Sequence, residues 1–236
     1  MTMNVRSPTY LIPLEHVCNK MALGAYDYGV EVGDRLTLTW PSAVGTQLGR
    51  DLYAHLASQE PDRYAKLAAT GFPVIDGRSS DLSHNLLERG GGHYVDTGGS
   101  RLLEEGECAV KANVEPVAFT ETGLRFGDGS TIDVDVVIWC TGFADKNMRD
   151  TAAEILGGGP AAEDIASRLD ATWSLDEEGE IRGLYKRQLR IENYWAMAGF
   201  TAQHRWHSRT LALQIKATLE GILPPAYRET PEAVGQ

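Results

Sequence analysis

The sequence predicts an α/β fold with a mixed parallel and antiparallel sheet, and three observations support this prediction. Apolar residues three and four positions apart, typical of amphipathic helices, recur through residues 14–70. Residues 107–140 alternate polar and apolar side chains between glycine-containing turns, as a β-meander does. The last part of that region, DVVIWC at residues 135–140, is an apolar run followed by Thr141 and Gly142. Such a run is typical of a strand that is buried on both faces of a sheet.

In chain order, the first five residues, MTMNV, resemble the end of a strand. Residues 14–70 are predicted to be largely helical, with a break at Pro41 and an end at the Gly-Phe-Pro turn of residues 71–73. The three glycines at 90–92 predict a flexible corner before the next strand. This pattern of elements predicts a helical insertion within an otherwise sheet-containing region.

In the C-terminal half, residues 135–140 are predicted to form a buried strand, on which Cys140 should be inert. YWAMAGF at residues 194–200 is predicted to be a last strand. The segment HSRTLALQIKATLEGIL at 207–223 is predicted to be a final helix that ends before two prolines. Residues 227–236 are expected to be a tail.

Composition excludes several classes of function. The 236 residues are 42% hydrophobic, which is enough for one large core or two small ones. The net charge of -11 argues against a nucleic-acid or anionic-membrane partner held by bulk electrostatics, although a local basic pocket remains compatible with it. No apolar run approaches the roughly 18 residues of a membrane span, and the N-terminus lacks a signal-peptide pattern. Three cysteines without a CxxC pair predict a reducing compartment, the cytoplasm, and argue against a disulfide-type flavoprotein reductase.

Thr141 and Gly142 lie where a ligand would be expected. In an open α/β sheet, ligands bind at the carboxyl ends of the strands. A glycine there lets the backbone approach a flat cofactor or a phosphate closely, because it has no side chain in the way. The same Thr-Gly pair is also compatible with an ordinary turn from a strand into a loop, and spacing alone leaves both interpretations open.

Four segments follow one another in an order and spacing that are specific when taken together. They are VRSPTYLIP (5–13), GGGHYVDTGGSRLLEEGECAV (90–110), DVDVVIWCTGF (133–143) and YWAMAGFTAQHRWHSRTLALQIKATLEGILPP (194–225). These segments resemble the C-terminal part of flavin-containing monooxygenases of class B, in the soluble fungal and plant-like branch. In that family they correspond to a strand of the NADPH domain, the region after it, the strand that links the two domains, and the closing strand and helix.

The resemblance implies a fold with two dinucleotide-binding domains, the cofactors FAD and NADP, and monooxygenation of a small organic molecule. Residues 1–140 would be a partial NADPH-binding domain with the helical insertion 14–70, and residues 141–226 a returning segment of the FAD-binding domain. The GxGxxG motifs of the family do not occur in this sequence, so the chain is expected to be incomplete as an enzyme. Self-association through uncovered apolar surface is a further expectation. A short non-catalytic paralogue that serves as a binding protein is the alternative.

The resemblance also implies cofactor-binding residues. Arg6 would contact the 2′-phosphate of NADP, with Ser7 adding a hydrogen bond; the alternative for Arg6 is an ordinary surface arginine. Thr141, Gly142 and Phe143 would lie near the flavin or at the junction of the two domains. No catalytic residue is assigned, because the residues that face the substrate cannot be identified from the sequence.

Two polar features of the last segment need separate interpretations. Gln203 loosely matches a glutamine that contacts FAD, but it is equally compatible with a polar residue at the start of a helix. His204 and His207 are three positions apart and could share a helical face. Because no third ligand accompanies them, we predict no metal site. The neighbouring aromatic residues Tyr194, Trp195 and Trp206 are expected to pack in the core or line a cavity.

Overall fold

The computed structural model describes residues 1–87, 91–142, 148–170 and 174–226. The chain divides into two compact units, which are described separately. Among the described residues, unit 1 comprises 1–23, 48–85 and 91–142, and unit 2 comprises 24–47, 86–87, 148–170 and 174–226. The predicted mixed α/β character is confirmed, because parallel and antiparallel strand pairs both occur beside many helices.

The described strands are β1 (Thr2–Val5), β2 (Thr9–Pro13), β3 (Val74–Ile75), β4 (His93–Asp96), β5 (Ala109–Ala112), β6 (Pro116–Phe119), β7 (Gly123–Phe126) and β8 (Thr131–Asp133). The described α-helices are α1 (Leu14–Val17), α2 (Lys20–Leu23), α3 (Val30–Leu38), α4 (Ser42–Ser58), α5 (Pro61–Ala69), α6 (Leu82–Leu87), α7 (Gly99–Glu104), α8 (Met148–Ile155), α9 (Gly159–Ser167) and α10 (Thr201–Leu219). A short 3₁₀-helix, Gly24–Tyr28, precedes α3.

Two sets of parallel strands form the first part of unit 1. β2 lies between β3 and β4, and β1 pairs with β5 so that Val5 is opposite Ala112. β2 is the central strand, and its residues Tyr10, Leu11 and Ile12 are almost completely buried. Leu11 packs in a core with four other buried side chains, which are Leu67, Phe72, Leu103 and Cys108.

The antiparallel sheet of unit 1 has the order β6–β7–β8. The turns between these strands fall at residues 120–122 and 127–130, as the glycine-containing sequences predict. The predicted β-meander is therefore confirmed for residues 116–133. β5 differs from the predicted meander, because it pairs in parallel with β1 and not with β6.

The predicted helical region, residues 14–70, is confirmed. It contains α1 to α5 and the 3₁₀-helix, and α4 begins directly after Pro41. α5 begins at Pro61, where the ring of proline is compatible with the first turn of a helix. A network of charged side chains joins α1 to α5, since His16 Nε2 lies 2.9 Å from Glu60 Oε1 and Arg63 contacts both Glu60 and Glu15.

The predicted buried strand at residues 135–140 is wrong. These residues form neither helix nor strand, and Val136, Ile138 and Trp139 are exposed, as is Cys140. The β7–β8 pairing ends with the hydrogen bond from Val134 N to Thr122 O, 2.9 Å long. A strand needs a neighbour to satisfy its backbone groups, and no described segment pairs with residues 135–142.

The predicted strand at residues 194–200 is also wrong, because this stretch is irregular in unit 2. The final helix begins earlier than predicted, at Thr201, and it ends at Leu219 before the predicted limit. Unit 2 has two small cores. One contains Ile181, Leu184, Tyr185 and Ala196, and the other contains Ala152, Ala166 and Leu169.

Among the helices of the described residues, none is long and apolar enough to cross a membrane.

Candidate functional site

Arg6 follows directly after the carboxyl end of β1, at the edge where β1 and β5 terminate together. The chain is anchored there by a hydrogen bond from Asn113 N to Val5 O, 2.8 Å long. The Asn4 side chain adds two hydrogen bonds, donating to Lys111 O at 3.0 Å and to Val114 O at 2.9 Å. The carboxyl end of the β1–β5 pair is therefore firmly held, while the side chain of the next residue, Arg6, points away from the ladder into a mostly exposed position.

The guanidinium of Arg6 makes one long ion pair. Its Nη1 lies 3.4 Å from Glu115 Oε1, and both side chains are mostly exposed. An ion pair of this kind contributes about 0–1 kcal/mol, because water screens the charges and both side chains lose conformational freedom. A stronger acceptor, such as a phosphate, could replace Glu115 with little loss. Ser7 is partly buried beside Arg6, and its carbonyl accepts a hydrogen bond from the Thr9 hydroxyl at 3.2 Å.

Thr141 and Gly142 lie at the end of the irregular, exposed segment that follows β8. Gly142 has a φ of +72°, which favours glycine over other residues. The space in which a Cβ atom would stand is open, with nothing within 4 Å. No described hydrogen bond or ion pair joins Arg6 to Thr141 or Gly142. Phe143, the next predicted residue, lies outside the described residues.

Gln203 lies in the first turn of α10 in unit 2, and its amide oxygen accepts a hydrogen bond from Phe200 N at 3.3 Å. This contact satisfies one of the backbone donors at the start of the helix, in agreement with the simpler of the two predicted roles. The oxygen of Gln203 is thus engaged locally, while its amide nitrogen has no hydrogen bond within the described part of the chain.

The Asp-Thr-Gly-Gly-Ser turn between β4 and α7 is the position at which unit 1 comes nearest to a glycine-rich phosphate loop. The side chain of Asp96 lies within this turn. Its carboxylate accepts hydrogen bonds from Gly98 N at 3.0 Å, from Ser100 N at 3.2 Å and from the Ser100 hydroxyl. Burial alone would raise the pKa of Asp96, but these hydrogen bonds together lower it. The carboxylate therefore fills the place that a pyrophosphate would need.

A cavity of about 270 Å³ lies in unit 2 beside α10. Its walls include Ile181, Leu184, Tyr185 and His207. The rings of Tyr185 and His207 have centroids 4.9 Å apart, and the Tyr185 hydroxyl donates to Ala198 O. Burial lowers the pKa of His207, partly opposed by the charge of Glu180, and burial raises the pKa of Tyr185. His207 is therefore neutral near pH 7, so its ring contributes a neutral imidazole to the cavity wall.

Helices α3 and α10 of unit 2 are joined by two bidentate ion pairs. The Arg205 guanidinium donates to both carboxylate oxygens of Asp34 at 2.5 Å, and Arg209 donates to both oxygens of Glu31 at 2.8 Å. Hydrogen bonds from these arginines, more than charge alone, lower the pKa of Asp34 and of Glu31. The Asp34 side chain is 1% exposed, so this pair fixes the two helices together.

Sequence reasoning missed Asp34, Asp96 and Tyr185. The DTGGS sequence after a predicted strand was a usable signal for Asp96, because an aspartate before two glycines often caps the following turn. Nothing in the sequence pairs Asp34 with Arg205, which lies 171 positions away. His207 was identified only through its spacing from His204, and its neighbour on the cavity wall is an aromatic ring. In the described part of the chain, no group of three or more potential metal ligands occurs.

Neither the models of known protein families nor the curated proteins contain a match to this chain.

Proposed function

We propose that this chain belongs to an FAD- and NADPH-dependent monooxygenase that acts on a small organic molecule, with residues 1–140 on the NADPH side and residues 141–226 on the FAD side. The observation that carries the proposal is the position of Arg6, directly after the carboxyl end of a parallel strand and, among the described residues, paired with the exposed carboxylate of Glu115 at 3.4 Å. Ligands of open α/β sheets bind at this end of the strands, and an arginine there suits the 2′-phosphate of NADP. The motif resemblance of residues 5–13 supports the same assignment.

The residues around Arg6 fit a phosphate group. A guanidinium donates two parallel hydrogen bonds to phosphate oxygens, and Glu115 is too exposed and too distant to compete strongly. Ser7, next in the chain, would add a hydroxyl group. When bound, NADPH supplies the reducing electrons of the proposed reaction, and the contribution of Arg6 and Ser7 is to bind and orient its adenosine end.

The described residues do not fit the pyrophosphate of FAD. The binding of a dinucleotide pyrophosphate needs free backbone N–H groups at a glycine-rich turn that follows a strand, and Asp96 already accepts hydrogen bonds from those of the turn between β4 and α7. Thr141, Gly142 and Gln203 could offer contacts at the border of a flavin site but no anchor. We therefore propose that Thr141, Gly142 and Gln203 contribute secondary contacts to a bound flavin and do not anchor it.

The Arg6 assignment predicts a preference for NADP⁺ over NAD⁺. Titration of the purified chain with each nucleotide, followed by calorimetry or ligand-observed NMR, should show about 10- to 100-fold tighter binding of NADP⁺, since a charge-assisted contact contributes about 1.5–3 kcal/mol. Arg6→Ala should abolish that preference. The matched control is Arg101→Ala, because Arg101 is an exposed arginine of unit 1 with its own 3.4 Å pair to Glu105. Equal losses for both nucleotides on Arg6→Ala would contradict a 2′-phosphate contact.

A second candidate, a non-catalytic binding protein, is favoured by the occupied Asp96 turn. The two candidates differ in the binding of NADP⁺ and not in the retention of flavin. After incubation with excess FAD and desalting, the chain should show no flavin absorption, because its residues supply no pyrophosphate anchor. A non-catalytic protein would in addition fail to bind NADP⁺. A retained stoichiometric flavin spectrum would contradict the inference that the described residues hold no anchor for the FAD pyrophosphate.

A further inference from the structure

The cavity of unit 2 has both apolar and polar walls. Its volume of about 270 Å³ lies just below the range of about 300–1,000 Å³ that is typical of ligand pockets. Ile181 and Leu184 supply apolar surface, whereas Glu180 and His207 supply polar groups. The wall also includes Thr210, which is exposed, so a ligand can enter the cavity from solvent. Apolar walls with a few polar groups are typical of a site for a small molecule.

The carboxylate of Glu180 lies on this wall without a cationic partner. Its Oε2 accepts hydrogen bonds from Ser42 N at 3.3 Å and from the Ser42 hydroxyl at 2.7 Å, and neither of these groups is charged. Within the part of the chain that the structure describes, no basic side chain forms an ion pair with Glu180, and its Oε1 accepts no hydrogen bond. A partly buried carboxylate is costly without a cation, so Oε1 is a free acceptor for a positively charged group.

The lysine on the same wall is already neutralised. Lys186 Nζ lies 2.5 Å from Asp176 Oδ2 and 3.5 Å from Glu178 Oε2. Glu178, Glu180 and Lys186 all line the cavity, and Asp176 lies directly behind the lysine. Three carboxylates therefore accompany one ammonium group, which leaves an excess of negative charge near pH 7. The cavity favours a cationic ligand over an anionic one.

The ring of His207 supplies a second acceptor. Neither of its nitrogens has a hydrogen bond to any other described residue. Burial lowers the pKa of His207, and the charge of Glu180 partly opposes this effect, so the ring is neutral near pH 7 and close to the Glu180 carboxylate. One nitrogen of a neutral imidazole accepts a hydrogen bond. The cavity thus offers two acceptors to a single donor group.

The backbone beside the cavity has an unusual conformation. Tyr185 has a φ of +58°, which is rare for a bulky residue. Three hydrogen bonds hold it: Tyr185 N donates to Ala196 O at 3.0 Å, Gln214 Nε2 donates to Tyr185 O at 3.0 Å, and the Tyr185 hydroxyl donates to Ala198 O. They fix the Tyr185 ring against that of His207. Residues kept in such conformations by their surroundings cluster at functional sites.

We propose that this cavity binds a small organic amine in its protonated form. The ammonium group donates hydrogen bonds to Glu180 Oε1 and to the accepting nitrogen of His207, and the apolar part of the amine contacts Ile181 and Leu184. A hydrogen bond between an ammonium and a carboxylate is stronger than one between neutral groups. This site is independent of the nucleotide contact proposed for Arg6, since it involves none of the same residues.

Benzylamine is a suitable probe, because it is protonated at neutral pH and has a small apolar ring. The test is a titration of the purified chain, with its histidines labelled with ¹³C, followed by NMR of the His207 ring. The expected result is a saturable shift with a Kd of about 1 mM or lower. Benzyl alcohol, which is uncharged and of the same size, should bind about tenfold more weakly or worse. No saturable shift up to about 10 mM benzylamine, or equal binding of the two probes, would contradict the proposal.

Glu180→Gln tests the charged contact. The new amide oxygen still accepts from Ser42, but the negative charge is lost, so benzylamine should bind about tenfold more weakly or worse. The matched control is Glu163→Gln, at an exposed glutamate of α9 that does not line the cavity; it should leave the affinity unchanged. Equal effects of the two substitutions would show that net charge alone attracts the probe and would overturn the site.

His207→Phe tests the second acceptor and identifies the NMR signals of His207. It keeps an aromatic ring beside Tyr185 and removes both nitrogens. Calorimetry should show about threefold to tenfold weaker binding of benzylamine, since one hydrogen bond is lost. This variant also tests the site if Glu180→Gln fails to fold. An unchanged affinity would show that His207 does not bind the ammonium group and would contradict the proposed arrangement.

Discussion

Two short stretches of unit 1 are similarly apolar in sequence and lie in different environments. TYLIP forms β2 between two parallel neighbours, and its Leu11 is completely buried. VVIWC at residues 136–140 is at least as apolar, yet it pairs with nothing in the described chain and exposes most of its side chains. The difference teaches that an apolar run becomes a strand only where a neighbour supplies hydrogen bonds on its edge and a layer of side chains covers its faces.

The largest expected effect is on the free energy of unfolding, and it compares Leu11 with Ile138. Leu11→Ala should lower the free energy of unfolding by about 2–5 kcal/mol, because it leaves a cavity in the core formed with Leu67 and Phe72. Ile138→Ala should change it by about 0.5 kcal/mol or less, because the side chain is already in water. Urea unfolding at a protein concentration below any self-association measures both. Similar losses at the two positions would mean that residue 138 is buried in solution.

A pair of glycines sharpens the same contrast. At Gly123, in β7, an added Cβ atom would collide with Ile132 O, so Gly123→Ala must displace β8 and should cost about 1–3 kcal/mol. At Gly142 the space is open and only the positive φ opposes a side chain. Gly142→Ala should therefore cost about 1 kcal/mol in thermal or urea unfolding. A larger effect at Gly142 than at Gly123 would indicate that the exposed segment is held by contacts in solution.

A pH-dependent effect is expected in unit 2, which serves as a contrast because its helices α3 and α10 are joined by ion pairs. The pKa of Asp34 is lowered by the hydrogen bonds from Arg205, so the stabilisation by this carboxylate is present above its ordinary range near pH 4 and is lost as the pH falls through the lowered value. The difference in melting temperature between the wild type and Asp34→Asn should therefore be largest near pH 7 and shrink toward pH 2.

A matched carboxylate provides the control for that measurement. Asp164 forms an exposed pair with Arg168 at 2.8 Å, one helical turn away on α9. Asp164→Asn should have little effect at any pH, because exposed pairs on a helix contribute little to stability. If the two substitutions behave alike across the pH range, the Asp34–Arg205 pair does not hold α3 against α10.

Local patterns explain which predictions succeeded. The helices of residues 14–70 and the turns at 120–122 and 127–130 were predictable, because a helix bonds each residue to one four positions away and a hairpin bonds close neighbours. The roles of Arg6 and Gly142 in binding cofactors stay predictions. The structure adds that Arg6 is accessible beside a paired strand end and that Gly142 has the positive φ that a glycine permits.

The sequence by itself determined the α/β class, the helical region after β2 and the antiparallel turns, since each depends on residues a few positions apart. Only the tertiary structure decided that residues 136–140 have no neighbouring strand among the described residues, that Asp96 fills the turn after β4 and that Asp34 is bound by Arg205. The physical reason is that strand pairing and buried ion pairs join groups far apart in the chain. A segment's own residues record its preference for such a partner but not whether the partner is present.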